Sequence, residues 1–141
     1  MKLSKNFDSS EFACPCCGKK CISLDLVIKL QELRDRVGEP IYVTSGVRCA
    51  GYNKKIDGVN NSPHIEGLAA DIQVKGISPI TIAYVANRTK DIRLGIYPNH
   101  LHIDIVPPHP SKYWLVKKYG DKYIYSGKEK DLAKFLEKEV K

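Results

Sequence analysis

No apolar run in this sequence of 141 residues approaches the length of a membrane span, and the opening MKLSKNFDSSEFACPCC has no stretch long enough for a signal-peptide core. We therefore expect a protein without a membrane span, cytoplasmic at synthesis, that would reach any external target without a leader of its own. Internal repeats, low-complexity segments and Gly/Ser/Pro-rich linkers are also missing, and the length suits one compact domain. Acidic residues are scarce relative to basic ones, 16 against 23, for a net charge of +7. That balance favours anionic partners such as nucleic acid, anionic lipid or an acidic cell-wall polymer. The basic charge is not gathered on one recognisable reading element, however, so no specific nucleic-acid partner is expected. Residues 112–141 carry nine lysines and five acids, a pattern that fits a solvated surface.

An even cysteine framework is absent too. The five cysteines are Cys14, Cys16, Cys17, Cys21 and Cys49, four of them within eight residues. This is a poor disulfide pattern and points to a reducing compartment. Two readings stand side by side: idle thiols, or a structural zinc knuckle begun by the C-x2-C half-site of Cys14 and Cys17.

What is present reads as an α+β fold. Ser23 followed by LDLVIKLQELRDRVG predicts an N-cap and an amphipathic helix, with Leu26, Leu30, Leu33 and Val37 at helical spacing and Gly38 closing it. Residues 41–44 and 69–74 read as strands, and Ser78-Pro79 opens a second helix. Residues 93–97 and 101–106 flank Pro98-Asn99 as a hairpin, and Pro107, Pro108 and Pro110 are expected to end that sheet. A second hairpin is expected over 113–119 and 122–125, then a terminal helix marked by Leu132, Phe135, Leu136 and Val140. Tyr113, Trp114, Tyr119, Tyr123 and Tyr125 are expected to pack on the domain, and His109 to be a loop residue. The whole is a small, mostly antiparallel sheet with flanking helices.

The residues that carry chemistry are His64, Asp71, His100, His102 and Asp104. His64 sits in the turn-rich NNSPHIEG and Asp71 in the strand AADIQV. His100, His102 and Asp104 alternate, so a strand puts all three on one face. A polar row in an apolar strand needs partners, because burying it unpaired is costly. Two imidazoles and a carboxylate suit a catalytic zinc site with an open fourth position; the plainer reading is partly exposed strand residues.

The phrase TSGVRCAGYNKKIDGVNNSPHIEGLAADI followed by GIYPNHLHIDI resembles the zinc D-Ala-D-Ala carboxypeptidase family of peptidoglycan hydrolases. That family's pattern runs S-G-x-R, S-x-H-x-x-G-x-A-x-D and H-x-H or H followed by x-D. Here it is met by Ser45 to Arg48, Ser62 to Asp71 and His100 to Asp104. The opening LSKNFDSSEFACPCCG also looks like the lead-in of phage and Gram-positive members. The resemblance implies a hedgehog-like zinc-peptidase fold over residues 1–110, with 111–141 as a hairpin and helix extension packed on the same domain.

It further implies zinc as cofactor, a peptidoglycan peptide as substrate, and hydrolysis of D-amino-acid-containing bonds by a carboxypeptidase or an endopeptidase, the latter released to the wall as a phage lysin is. His64, Asp71 and His102 would be the ligands. Arg48 would hold a carboxylate or carbonyl oxygen, and His100 would move protons. Ser62 would shape the turn presenting His64, and Gly67 would let the backbone pass close behind the metal. Where several relatives carry an acid three residues before the last ligand, this chain has Asn99, which leaves His100, Asp104 or Glu66 as base or the step impaired; His100 is favoured, with Asp104 sharing the role or orienting an imidazole. The alternative is a zinc-stabilised module that binds cell-wall peptide, or a structural phage component, with little turnover.

Overall fold

A computed structural model describes residues 1–106, 112–119 and 122–126, the last two stretches as backbone. The chain opens with a short 3-10 turn over Ser9–Phe12, capped by Asp8, which buries Phe12. Helix α1 (Leu24–Val37) follows. Leu26, Val27, Leu30 and Leu33 form its buried stripe, each such side chain worth about 1.5–3 kcal/mol of burial. Gly38, at φ +74°, closes it with an N–H bond to the Arg34 carbonyl. Ser23 stands at the N-cap without a side-chain cap bond; its own N–H donates to the Gly67 carbonyl at 2.8 Å instead.

Strand β1 (Tyr42–Ser45) leads to α2 (Ala50–Lys55), then β2 (Ala69–Gln73), α3 (Pro79–Ala86), β3 (Arg93–Ile96) and β4 (Leu101–Asp104). Pro79 occupies the first turn of α3 and the Ser78 side chain accepts from Thr81 N–H, so that helix starts where its sequence says. Helix α2 is a departure from expectation. Its six residues AGYNKK bury only Asn53 and its N-cap is Cys49, so neither apolar period nor a usual cap residue announces it.

The sheet order is β1-β2-β4-β3-β5-β6, with β5 at Lys112–Tyr119 and β6 at Lys122–Ser126. The first four strands pair antiparallel. The second hairpin exists, but the expectation that the first sheet ends after Val106 does not hold: β5 pairs parallel with β3 and continues the sheet. The edge of β3 offers unpaired backbone groups, and β5 takes them. The segment 107–111 with His109, the terminal helix expected around Leu132 to Val140, and the packing of the 113–125 aromatics lie outside the described residues. No helix among the described residues is long and apolar enough to cross a membrane.

Alternation along β2 and β4 gives the sheet two different faces. Ala70, Ile72, Leu101 and Ile103 join the core with Leu26, Leu30, Leu33, Ile82 and Phe12, beneath α1 and α3. Their neighbours Asp71, His102 and Asp104 occupy the opposite face, and register sets them against one another. Asp71 pairs with His102 across β2 and β4, and Arg93 with Asp104 across β3 and β4.

Candidate active site

His64 reaches this polar face from a turn that is closed three ways. Ser62 Oγ accepts from the His64 N–H at 3.3 Å, the Ile65 N–H donates to the Ser62 carbonyl, and the His64 carbonyl accepts from the Arg48 N–H at 3.0 Å. The ring is aimed by the Gly46 carbonyl, which lies 2.7 Å from His64 Nδ1. Gly46 can be nothing larger, since a Cβ there would stand 2.6 Å from the Cα of Phe12.

Three ligand atoms converge. His64 Nε2 is 3.2 Å and His102 Nδ1 3.0 Å from the same Asp71 oxygen, Oδ1. The remote nitrogens are engaged: His64 Nδ1 with Gly46 O, and His102 Nε2 with Asp104 Oδ2 at 2.7 Å. A carbonyl and a carboxylate only accept, so each remote nitrogen carries the proton of a neutral ring. The two nitrogens facing Asp71 are then lone pairs aimed at a carboxylate oxygen, an arrangement that a cation between them completes. His64, Asp71 and His102 are all buried, and as a donor set of two imidazoles and one carboxylate they fit zinc.

Without a cation between them, the same contacts with Asp71 instead draw protons onto the facing nitrogens, and the electrostatics show this competition. Burial would raise the Asp71 carboxyl, but its hydrogen bonds with His102 and His64 outweigh this and hold it well below the usual carboxylate range. Burial opposes charging of His102, while bonds to Asp104 and Asp71 carry its pKa up. His100 moves the other way, lowered mainly by burial.

Arg48 closes one side of the site. Its Nη2 pairs with Asp71 Oδ2 at 3.0 Å, Nε donates to Ser45 Oγ at 2.9 Å and Nη1 to Asn53 Oδ1 at 3.3 Å. Of the five guanidinium N–H groups, these bonds use three and leave donors for a ligand. His100 stands at the end of β4, stacked on Tyr97 with ring centroids 4.3 Å apart. Its Nδ1 is 2.9 Å from Asn99 Oδ1 and its Nε2 3.8 Å from Asp71 Oδ2. Arg48, Ser62, His64, Asp71, His100 and His102 thus border one open cleft of about 460 Å³, together with Asp57 and Tyr97.

The geometry narrows two open choices and changes one expectation. Asp104 lies behind His102, fully buried, its two oxygens held by Arg93 Nε and Nη2 at 2.7 and 2.9 Å, so it orients an imidazole and does not face the cleft. Glu66 is exposed and outside the cleft lining, and Asn99 borders a neighbouring groove with Tyr42 and Gln73. Gly67 is required, but not by a metal: at φ +72° its missing Cβ would collide with the Cys21 carbonyl. Sequence reasoning missed Asn53, Arg93 and Tyr97, and gave Ser45 no task beyond its place in the motif. The only signal for Arg93 was its place opposite Asp104 in a hairpin.

A family model described as peptidase M15 matches residues 5–105, a span that contains every residue of the cleft. Among curated proteins, none matches the sequence significantly.

Proposed function

Because the chain belongs to the peptidase M15 family, that of the zinc D-Ala-D-Ala carboxypeptidases, we propose that it hydrolyses D-amino-acid-containing peptide bonds of bacterial peptidoglycan, as a carboxypeptidase or an endopeptidase. The observation that carries this reading is the cleft in which two tautomer-fixed imidazoles and Asp71 converge beside Arg48. Zinc, when bound by His64, Asp71 and His102, supplies a Lewis acid and lowers the pKa of a coordinated water to about 7.

The chain's own residues do the rest. Arg48, braced by Ser45 and Asn53, offers its remaining N–H groups to the terminal carboxylate or the scissile carbonyl oxygen of the peptide. Asn99 Oδ1 accepts from His100 Nδ1–H, which leaves the His100 Nε2 lone pair on the side of Asp71. From there Nε2 would take a proton from the attacking water and pass it to the amine nitrogen as the C–N bond breaks. Asp104 and Arg93 keep His102 in its ligating tautomer. Ser62 holds the turn that carries His64.

The test is incubation of zinc-loaded protein with purified muropeptides, including a pentapeptide ending in D-Ala-D-Ala, with products read by mass spectrometry with and without chelator. Chelator-sensitive loss of one terminal D-Ala makes the protein a carboxypeptidase. An internal cut makes it an endopeptidase of the lysin kind. A second reading, a wall-peptide-binding module with little turnover, draws on Asn99, an amide lying beside His100 and outside the cleft lining. Muropeptide binding without product from zinc-loaded protein would establish that reading and overturn hydrolysis.

A further inference from the structure

Away from the cleft, a second set of metal-binding atoms is gathered. Cys14 and Cys17, from the loop after Phe12, and Cys49, at the start of α2, bring their three Sγ atoms within 4.8 Å of one another. All are free thiols, Cys14 buried and Cys49 half-buried. The exposed Cys16 thiol neighbours the group in sequence, between Cys14 and Cys17, and Cys21 is exposed too; neither belongs to the three-sulfur set.

The backbone is folded around these sulfurs. The Cys49 N–H donates to Cys14 Sγ at 3.4 Å. Cys49 Sγ in turn accepts from the Tyr52 N–H at 3.4 Å. The loop is pinned by Gly18 N–H to Cys14 O at 2.9 Å and Cys14 N–H to Lys19 O at 2.8 Å, with Gly18 at φ +75°. A backbone N–H directed at a sulfur favours the thiolate, the form in which cysteine binds metal.

We infer that Cys14, Cys17 and Cys49 bind a structural zinc ion separate from the catalytic site, with the neighbouring exposed Cys16 thiol moving in as fourth ligand. Soft thiolates select zinc over harder divalent ions. Tetrahedral coordination at about 2.3 Å from each sulfur sets sulfurs about 3.8 Å apart, so a small contraction of the present cluster completes the site. Binding displaces the thiol protons to solvent and changes no oxidation state.

The position of the cluster gives the ion a task. Cys49 directly follows Arg48 and opens α2, whose Asn53 holds the Arg48 guanidinium. Cys14 lies two residues beyond Phe12, whose carbonyl accepts from the Val47 N–H at 2.8 Å and whose Cα abuts Gly46, the acceptor that aims His64. One ion would therefore lock the N-terminal loop to the segment that positions Arg48 and His64.

The test uses the full chain, purified under reducing conditions, with zinc counted by elemental analysis and cobalt(II) exchanged in as a spectroscopic probe. Wild type should hold about two zinc ions and show a sulfur-to-cobalt charge-transfer band in the near ultraviolet. A Cys17→Ser/Cys49→Ser double variant should lose the band and about one ion, while His64→Ala/His102→Ala should lose about one ion and keep the band. If the cysteine variant fails to fold, wild type and the histidine variant decide alone. Absence of the band from cobalt-loaded wild type, metal content unchanged by loss of the cysteines, or a metal-free chain with Cys49 in a disulfide would each overturn the inference.

Discussion

Asp104 Oδ2 stands 2.7 Å from His102 Nε2, while Arg93 grips both oxygens of the same carboxylate. The contact fixes which nitrogen of His102 is free to bind metal. Burial alone would raise the Asp104 carboxyl; the His102 and Arg93 bonds reverse this, so an anion is kept where an acid would otherwise be favoured. Replacing Asp104 with Asn removes the charge and lets an amide N–H face the ring, which invites the wrong tautomer. Metal affinity should fall roughly 10–100-fold, measured by competition with a chromophoric chelator, with the fold retained by circular dichroism. Unchanged affinity would show that His102 needs no such partner. Arg93→Ala should cost about 2 kcal/mol in urea unfolding, less than for a fully buried pair because Arg93 is partly exposed.

Two glycines in the same left-handed region should respond differently to alanine. Gly67 and Gly76 have φ of +72° and +79°, but a Cβ on Gly76 meets nothing within 4 Å, whereas one on Gly67 strikes the Cys21 carbonyl. Gly76→Ala should therefore cost only the backbone term, about 1 kcal/mol. Gly67→Ala must also push away the segment that leads into α1, including the Ser23 N–H bond to the Gly67 carbonyl. Its cost should exceed about 2 kcal/mol. Equal midpoints in urea would contradict the close approach.

Acid should loosen the N-terminal loop through Asp8. Hydrogen bonds from the Ser10 backbone and side chain lower its pKa from 3.8 to about 2. A carboxylate whose folded pKa is depressed contributes stability that is complete above its unfolded value and lost as pH falls through the folded one. The window thus runs from about 4 down to about 2. Asp8→Asn should flatten that part of the stability profile and leave the plateau near neutrality shifted by a constant amount. A profile parallel to wild type between those limits would show that the cap does not titrate.

The choice of His64, Asp71 and His102 came from the family resemblance; spacing alone put His100, His102 and Asp104 on one strand face and His64 in a turn before the Asp71 strand, without choosing among them. The nitrogen each imidazole presents, and its supports, could not be read from the chain. That His102 turns Nδ1 and His64 turns Nε2 toward Asp71 follows from partners on other segments, Asp104 with its Arg93 clamp and the Gly46 carbonyl. Arg93 gained meaning only from the β3–β4 register, and β5 beside β3 is a long-range pairing without local signal. Helix α2 escaped notice because Cys49 caps it and only Asn53 is buried. The role of Asp104 stayed open in sequence because a strand period tells which face a carboxylate occupies, not how deep it lies.

Arg48 offers the sharpest separation of binding from metal chemistry. Its guanidinium spans Ser45, Asn53 and Asp71 in one plane, a geometry a lysine ammonium cannot reproduce even though it keeps the charge. Arg48→Lys should leave zinc at the His64, Asp71 and His102 site, since none of those ligand atoms is removed. Catalytic efficiency on the D-Ala-D-Ala pentapeptide should nevertheless drop about 100-fold, because substrate is no longer held in register with the reacting groups. The split between constants carries the information. A rise in KM with kcat preserved means that Arg48 grips a remote carboxylate equally in ground and transition states, the arrangement of an exopeptidase. A fall in kcat at constant KM means that its N–H groups serve the scissile carbonyl oxygen as charge develops there. Loss of zinc from Arg48→Lys would contradict both, and would make the ion pair with Asp71 a support of the metal site itself.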